Sequence, residues 1–411
     1  MKVGLQSALS DTNLDANQGS SQRQLAISIS AVPDISDPSV PLNLCLVLDH
    51  SGSMKGQPLE TVKQAAQRLV ERLSPGDRIS IVGFDHKAKV LVSNQLIDNP
   101  VSVKAQINQL QANGGTAIDE GLRLGIEELS KGKKEAVSQL FLLTDGENEH
   151  GDNNRCLKLA QLASGYNLTL NMLGFGDSWN QDLLEQIADA GNGSLTYIQH
   201  PGAAVDAFGR LFQRAQAVGL TNAHLILALA PQVRLAELKP IAQVAPDAIE
   251  LTVQPEAEWL SVRLGDLMTD APRVILANLY ISKLPEGQQA IAKLRVRYSD
   301  PVSGTSLRSE MLTVTTQVLS AYQPALDPQV QQYILALAKY RQTQIAESKL
   351  QQGDRSGAVT MLQMAAKTAL QMGDKNAATV LQENLTRLQS GEELSESDRK
   401  KTRIVSKTIL Q

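Results

Sequence analysis

Leu25, Ile27, Ile29 and Ala31 alternate with polar or small residues, the period of a half-buried strand. Ahead of them, residues 1–24 are rich in Ser, Asn and Gln and show no sustained period, so a flexible N-terminus is expected there. Pro33, Pro38 and Pro41 lead out of the strand, and residues 25–42 are read as one strand followed by a linker. From Asn43 the texture changes. Leu44-Cys45-Leu46-Val47-Leu48 is an unbroken apolar run, as in a parallel strand covered on both faces. Val62, Ala65, Ala66, Leu69, Val70 and Leu73 then recur at helical spacing, and Ser74-Pro75-Gly76-Asp77 breaks the chain. Strand patterns follow at 79–84, 89–92, 137–143, 168–173 and 194–198. Helical patterns occupy 101–110, 117–129, 156–163, 181–190 and 203–218. Strands alternating with helices predict an α/β fold, a doubly wound and mostly parallel sheet over residues 43–218.

Past Leu220 the helical period stops. Short strand patterns at 223–230, 233–238, 248–253, 259–264, 273–282, 290–298 and 306–318, separated by turn clusters such as Asp300-Pro301-Val302-Ser303-Gly304, predict a β-sandwich over 219–320. The strand at 25–31 has no partner nearby and is predicted to join that sandwich, which makes the α/β domain an insertion within it. Residues 325–394 are helical again. Leu350-Gln-Gln-Gly-Asp354 returns twenty residues later as Leu370-Gln-Met-Gly-Asp374, a stop–start signal that predicts three antiparallel helices. Met361, Met364 and Met372 are read as core filling there. Residues 395–411 carry mixed charge with little apolar period and are expected to form a mobile tail.

Composition narrows the function classes. The 411 residues are 42% hydrophobic and 20% charged, a globular balance too long for a single ordinary core. A net charge of −4 provides no basic field for nucleic acid, and 3% aromatics offer few stacking platforms. Cys45 and Cys156 lie too far apart in sequence for a metal motif, and Cys45 is read as a small core hydrophobe. No signal-peptide pattern or membrane-span pattern is found, so a cytoplasmic protein is expected.

Candidate chemistry concentrates at the ends of the central strands. Asp49-His50-Ser51-Gly52-Ser53 follows the run Leu44–Leu48 directly and so lies at the carboxyl edge of the sheet, where open α/β folds place ligands. Gly114-Gly115-Thr116 opens a helix, and Thr144-Asp145-Gly146 ends the next buried strand at the same edge. Asp49, Ser51, Ser53, Thr116 and Asp145 form an all-oxygen set that suits Mg²⁺, with Mn²⁺ and Ca²⁺ as alternatives. His50 and His86 are read as solvent-facing loop residues, and Glu147 and Glu149 as a solvated acidic loop.

With these motifs in this order, residues 43–218 resemble a von Willebrand factor A domain with an intact metal-ion-dependent adhesion site. The resemblance implies that Ser51, Ser53 and Thr116 ligate the metal directly, with Asp49 and Asp145 bound directly or through water. It also implies a protein partner that presents an Asp or Glu to the metal. Leu264-Gly265-Asp266-Leu267 resembles a strand connection of the accessory sandwich in bacterial members. A metal-dependent, non-enzymatic binding module is therefore expected. The alternatives are a non-ATPase subunit of a chelatase-like AAA+ complex, since no phosphate-loop motif occurs in the chain, and a metal-dependent hydrolase. In the tail, Thr402 or Thr408 is read as a phosphorylation site that docks a phosphothreonine-binding domain.

Overall fold

The computed structural model describes residues 1–33 and 40–407. The central six-stranded sheet runs in the order Ala88–Leu96, Arg78–Phe84, Leu42–Asp49, Val137–Thr144, Thr169–Phe175, Asn192–Ile198. All neighbours pair in parallel except the edge strand Ala88–Leu96. Every residue of Leu42–Asp49 is buried, because helices cover both faces. Leu44, Leu46 and Leu48 point into a core shared with the helices Gln57–Val70, Pro100–Asn108 and Ala204–Gln216. Cys45 and Val47 point into the opposite core, built on Ile118–Lys131, Asn153–Gly165 and Gln181–Ala190. This two-sided burial is what wrote an apolar run rather than an alternation into the sequence. Both cysteines are free and buried.

The second unit is a sandwich of two sheets. One has the order Lys2–Leu9, Ser20–Val32, Arg273–Ser282, Ile241–Ala245, Ile249–Glu250, with Val233–Leu235 also on Arg273–Ser282. The other has the order Val253–Glu256, Trp259–Met268, Val218–Leu229, Gly287–Ser299, Leu312–Leu319, Asn13–Asp15, with Ser306–Arg308 on Gly287–Ser299. Leu25, Ile27 and Ile29 from the first sheet meet Leu225, Leu227, Val262, Leu294 and Val296 from the second in one core. The strand around residues 25–31 pairs along its length with Arg273–Ser282, so the sandwich opens before the α/β domain and closes after it.

Four expectations are corrected. Residues 1–24 are strands rather than a flexible arm: Lys2–Leu9 pairs with Ser20–Val32 from Lys2↔Val32 to Leu9↔Leu25, and Asn13–Asp15 pairs with Leu312–Leu319. Lys2–Leu9 is an edge strand with only half-buried apolar residues before Leu9, which kept the signal weak. Leu264–Leu267 does not connect strands but lies inside Trp259–Met268. Met364 is exposed at 46%, so it is not core filling, whereas Met361 does pack against the helical core.

The fourth correction concerns the tail. After the helices Pro328–Gln351, Arg355–Gln371 and Lys375–Gln389, a further helix, Glu396–Lys407, packs back on the protein. Its helical period is written in cations at 400, 403 and 407. Arg403 pairs with Asp182, with Glu185 at 2.5 Å and with Glu347 at 3.4 Å, while Lys407 reaches Glu185 at 2.9 Å and Asp189 at 2.8 Å. Thr402 sits within this helix and accepts a hydrogen bond from the Asn384 amide at 2.5 Å, which removes the basis for a free docking peptide. Pro38 and Thr408 lie outside the described residues. Among the described residues no helix is long and apolar enough to cross a membrane.

Candidate metal centre

The two innermost strands, Leu42–Asp49 and Val137–Thr144, end side by side at the carboxyl edge of the sheet. Chain order reverses between the neighbours of Leu42–Asp49, so this is the topological switch point of the sheet. Asp49 is the last residue of its strand and is fully buried. Its Oδ1 accepts from the Ser51 amide at 2.8 Å, which folds the Asp-x-Ser turn, and its Oδ2 accepts from the Thr144 hydroxyl at 2.6 Å. Ser51 Oγ lies 3.1 Å from Ser53 Oγ, and Ser53 Oγ donates to Asp145 Oδ1 at 2.7 Å. Asp49, Ser51, Ser53 and Asp145 thus form one connected cluster.

Thr116 arrives from the third loop. A Cβ on Gly146 would lie 3.2 Å from Thr116 Oγ1, so the hydroxyl sits against the turn that carries Asp145. The loops are locked together by their backbones: Gly52 N–H donates to the Gly114 carbonyl at 2.9 Å, and Asn113 N–H donates to the His50 carbonyl at 2.8 Å. Gly114 has a φ of +71°, and a Cβ there would stand 2.4 Å from His86 Nδ1; at Gly115 it would stand 2.2 Å from the His150 ring. The left-handed backbone at Gly114 is what requires glycine in this approach. All five predicted residues therefore meet at one edge.

Burial dominates the electrostatics of both carboxyl groups in the cluster. Burial pushes the Asp49 carboxyl up to about 6 against the hydrogen bonds from Thr144 and Ser51 that pull it down. Burial also raises Asp145 above the usual carboxylate range. Among the described residues neither carboxylate has a Lys or Arg partner, and no group of three or more His, Cys, Asp or Glu converges to hold a metal. Two unpaired carboxylates with three hydroxyls fit a hard, oxygen-seeking cation rather than a nitrogen- or sulfur-seeking one.

Two details were not read from the sequence. Thr144 was seen only as part of its tripeptide, yet its hydroxyl holds Asp49; a hydroxyl closing an otherwise apolar strand was the available signal. His50 is half-buried and partly open to solvent, with Nδ1 3.1 Å from the Gln111 carbonyl, a contact that braces the 111–113 loop. His86, Glu147 and Glu149 are exposed.

Comparison with known proteins agrees with this architecture. Residues 43–208 match the von Willebrand factor type A domain, and residues 328–411 match the Sll0103-like, C-terminal alpha-helical domain. Protein sll0103 of Synechocystis is 61% identical over 412 aligned residues, which cover 100% of this chain and 98% of that protein. A von Willebrand factor type A protein from Catenulispora acidiphila superposes with a TM-score of 0.82 at 17% identity, covering 99% of this chain and 97% of that one. The ArnB paralog VWA2 from Sulfolobus acidocaldarius gives 0.60 at 17% identity, covering 99% and 98%. At those identities the structural likeness speaks for the fold alone.

Proposed function

Because the chain belongs to the Sll0103-like family and carries a von Willebrand factor type A domain at residues 43–208, we propose that it is a metal-dependent protein-binding module. The observation that carries this reading is the cluster of one buried and one half-buried carboxylate, neither paired with Lys or Arg among the described residues, and three hydroxyls at the switch point of the sheet. In this proposal Ser51, Ser53 and Thr116 offer hydroxyl oxygens to Mg²⁺, and Asp49 and Asp145 supply the compensating charge. When bound, the ion would supply an electrophilic centre for an acidic side chain of the partner, because three of its five protein donors are neutral. Thr144 keeps Asp49 turned toward the cluster, and the backbone bonds of Gly52 and Asn113 hold the loops before any ion arrives. We read the site as one for binding rather than turnover. Asp49-x-Ser51 lacks the second carboxylate that a metal-dependent phosphatase would use, and the nearby His50 is committed to the Gln111 carbonyl.

The test begins with the metal alone. Mg²⁺ at about 100 times its dissociation constant stabilises the state that binds it by about 2.7 kcal/mol, or roughly 5–10 °C for a domain of this size. The full chain should show that shift, EDTA should reverse it, and Asp145→Ala should not show it. Partner capture should follow the same dependence on Mg²⁺, EDTA and Asp145. A full chain whose melting ignores Mg²⁺ would sink the metal reading. Capture that survives both EDTA and Asp145→Ala would sink metal-dependent binding.

A further inference from the structure

The tail helix Glu396–Lys407 reaches the same edge of the sheet as the metal cluster, and one of its side chains is costly to place there. Lys400 is 1% exposed. Its ammonium donates to the Asp177 carbonyl and lies 4.3 Å from the centre of the Trp179 ring, and no ion pair is formed by it among the described residues. The carboxylates of Glu396, Asp177 and Glu147 act on it only through their charge; Glu147 stands two residues past Asp145. A buried ammonium satisfied by one carbonyl and a ring face forfeits much of its hydration, and an apolar chain of the same length would fill the space without that loss. Stability alone gives no reason for a lysine here.

What the ammonium touches does give one. The Trp179 indole lies flat on Gly174, so closely that a Cβ on that glycine would stand 2.2 Å from the ring. Its Nε1 donates to the Gly176 carbonyl at 2.6 Å, which fixes the ring over the end of the strand Thr169–Phe175. Gly174 is paired in the parallel ladder with Thr144. Thr144 in turn donates to Asp49 Oδ2 at 2.6 Å. A contiguous set of contacts, Lys400 to Trp179 to Gly174 to Thr144 to Asp49, therefore joins the tail helix to the one fully buried carboxylate of the metal cluster.

We propose that Lys400 is a positioning residue for the metal centre: seated on Trp179, it holds the Gly174–Thr144 rung that orients Asp49. The helical tail is thereby a working part of the site, and release of the tail lowers metal affinity. Partners that orient a ligand from behind are commonly as important to affinity as the ligand's own neighbours. This inference rests on the proposed metal reading.

The chain has two tryptophans, so Trp259→Phe leaves Trp179 as the sole indole reporter in the full-length protein. In that background Mg²⁺ alone is titrated by calorimetry and by Trp179 emission. The emission should change saturably with the same midpoint as the heat. Lys400→Met should weaken Mg²⁺ binding by about 10-fold, at the low end of effects seen for such supporting residues, without lowering the thermal midpoint. Lys400→Arg, which keeps the cation on the ring, should restore affinity to within about twofold. Equal Mg²⁺ affinity in Lys400→Met and its parent overturns the inference and leaves the metal reading standing. A loss in Lys400→Arg as large as in Lys400→Met, with a falling thermal midpoint in both, overturns it as well, since the tail would then act only as bulk structure. A parent with no Mg²⁺ heat overturns the metal reading and this inference together.

Discussion

Ile27→Ala tests the topology most sharply, because it places a core cavity in a segment that precedes the α/β domain in sequence. Ile27 is fully buried, lies opposite Ile275 in one neighbouring strand and Ser7 in the other, and belongs to the sandwich core. Truncating a buried Ile to Ala removes the transfer energy of the lost carbons and leaves a partly collapsed cavity, about 2–5 kcal/mol in all. The flanking Leu25 and Ile29 are fully buried as well, so there is little room for the site to relax, and about 3 kcal/mol is a fair central value. For a unit of this size that is a fall of roughly 6–12 °C in its melting midpoint. Trp259 lies in the sandwich strand Trp259–Met268 and Trp179 beside the α/β sheet, so each unit has its own reporter. With Trp179→Phe, Trp259 emission should report the lowered transition, and an isolated fragment of residues 40–217 should melt cooperatively without the N-terminal strands. An unchanged Trp259 transition in Ile27→Ala would refute the view that residues 20–32 are structural members of a sandwich whose later strands run from Val218 to Leu319.

Two further outcomes are expected. Burial works against the ionised form of Asp11, but hydrogen bonds from Tyr322, Ala325 and Asn13 and the charge of Arg23 leave its carboxyl below the ordinary 3.8. Its contribution to stability is thus complete above that value and fades as pH falls through the lower folded one, so Asp11→Asn should flatten the acid limb of a urea-melt stability profile below about pH 4. Gly353 and Gly373 end helices at φ of 78° and 76°, where a side chain costs about 1–2 kcal/mol, so Gly353→Ala and Gly373→Ala should each lower the helical transition by that amount; no loss would show that the turns can re-form without a left-handed residue.

The parts of the fold legible in sequence were those where burial and period coincide. Leu42–Asp49 shows both its faces to helices, and Ser20–Val32 turns its large apolar residues to the sandwich core and small ones such as Ala26 to the other face, so each wrote its own period into the chain. The cluster was legible because its three loops each carry a glycine beside the oxygen donors, at positions fixed by strand ends. Lys2–Leu9 was not, since an edge strand can keep serine and glutamine along its length. Ile241–Ala245 was missed for another reason: it is a five-residue strand closed by Pro240 and Pro246, which read as turn. The tail helix carries too little apolar periodicity to mark itself in the sequence. Lys400, Arg403 and Lys407 repeat at 3 and 4, as a packed helix face does, and the carboxylates that pair with Arg403 and Lys407, those of Asp182, Glu185, Asp189 and Glu347, lie on two elements more than fifty residues away. Long-range pairing of charge leaves no mark in a local window.

The way the units are joined decides which edge of the α/β domain is free to work. Asp266 of the sandwich is buried at the amino edge of the sheet, where it accepts from Gln139 at 2.8 Å and Thr169 at 2.7 Å; Arg273 donates to the Asp266 carbonyl at 2.6 Å. Arg263 adds a bond to the Ser164 carbonyl at the end of the helix Asn153–Gly165, and Thr269 N–H donates to the Ala217 carbonyl at 2.8 Å, fixing the exit of the domain. The two bonds to the Asp266 carboxylate are buried, so a slip of the sandwich would strand the Gln139 and Thr169 donors, a cost of about 1–3 kcal/mol for each. The amino edge is therefore spent on holding the sandwich. Asp49 and Asp145 close the opposite ends of the same strands, clear of those contacts. The tail helix is the element from outside the domain whose bonds reach toward that carboxyl edge, through Asp177, Trp179 and Asp182. The carboxyl edge is therefore bordered by the C-terminal module, and the amino edge by the sandwich.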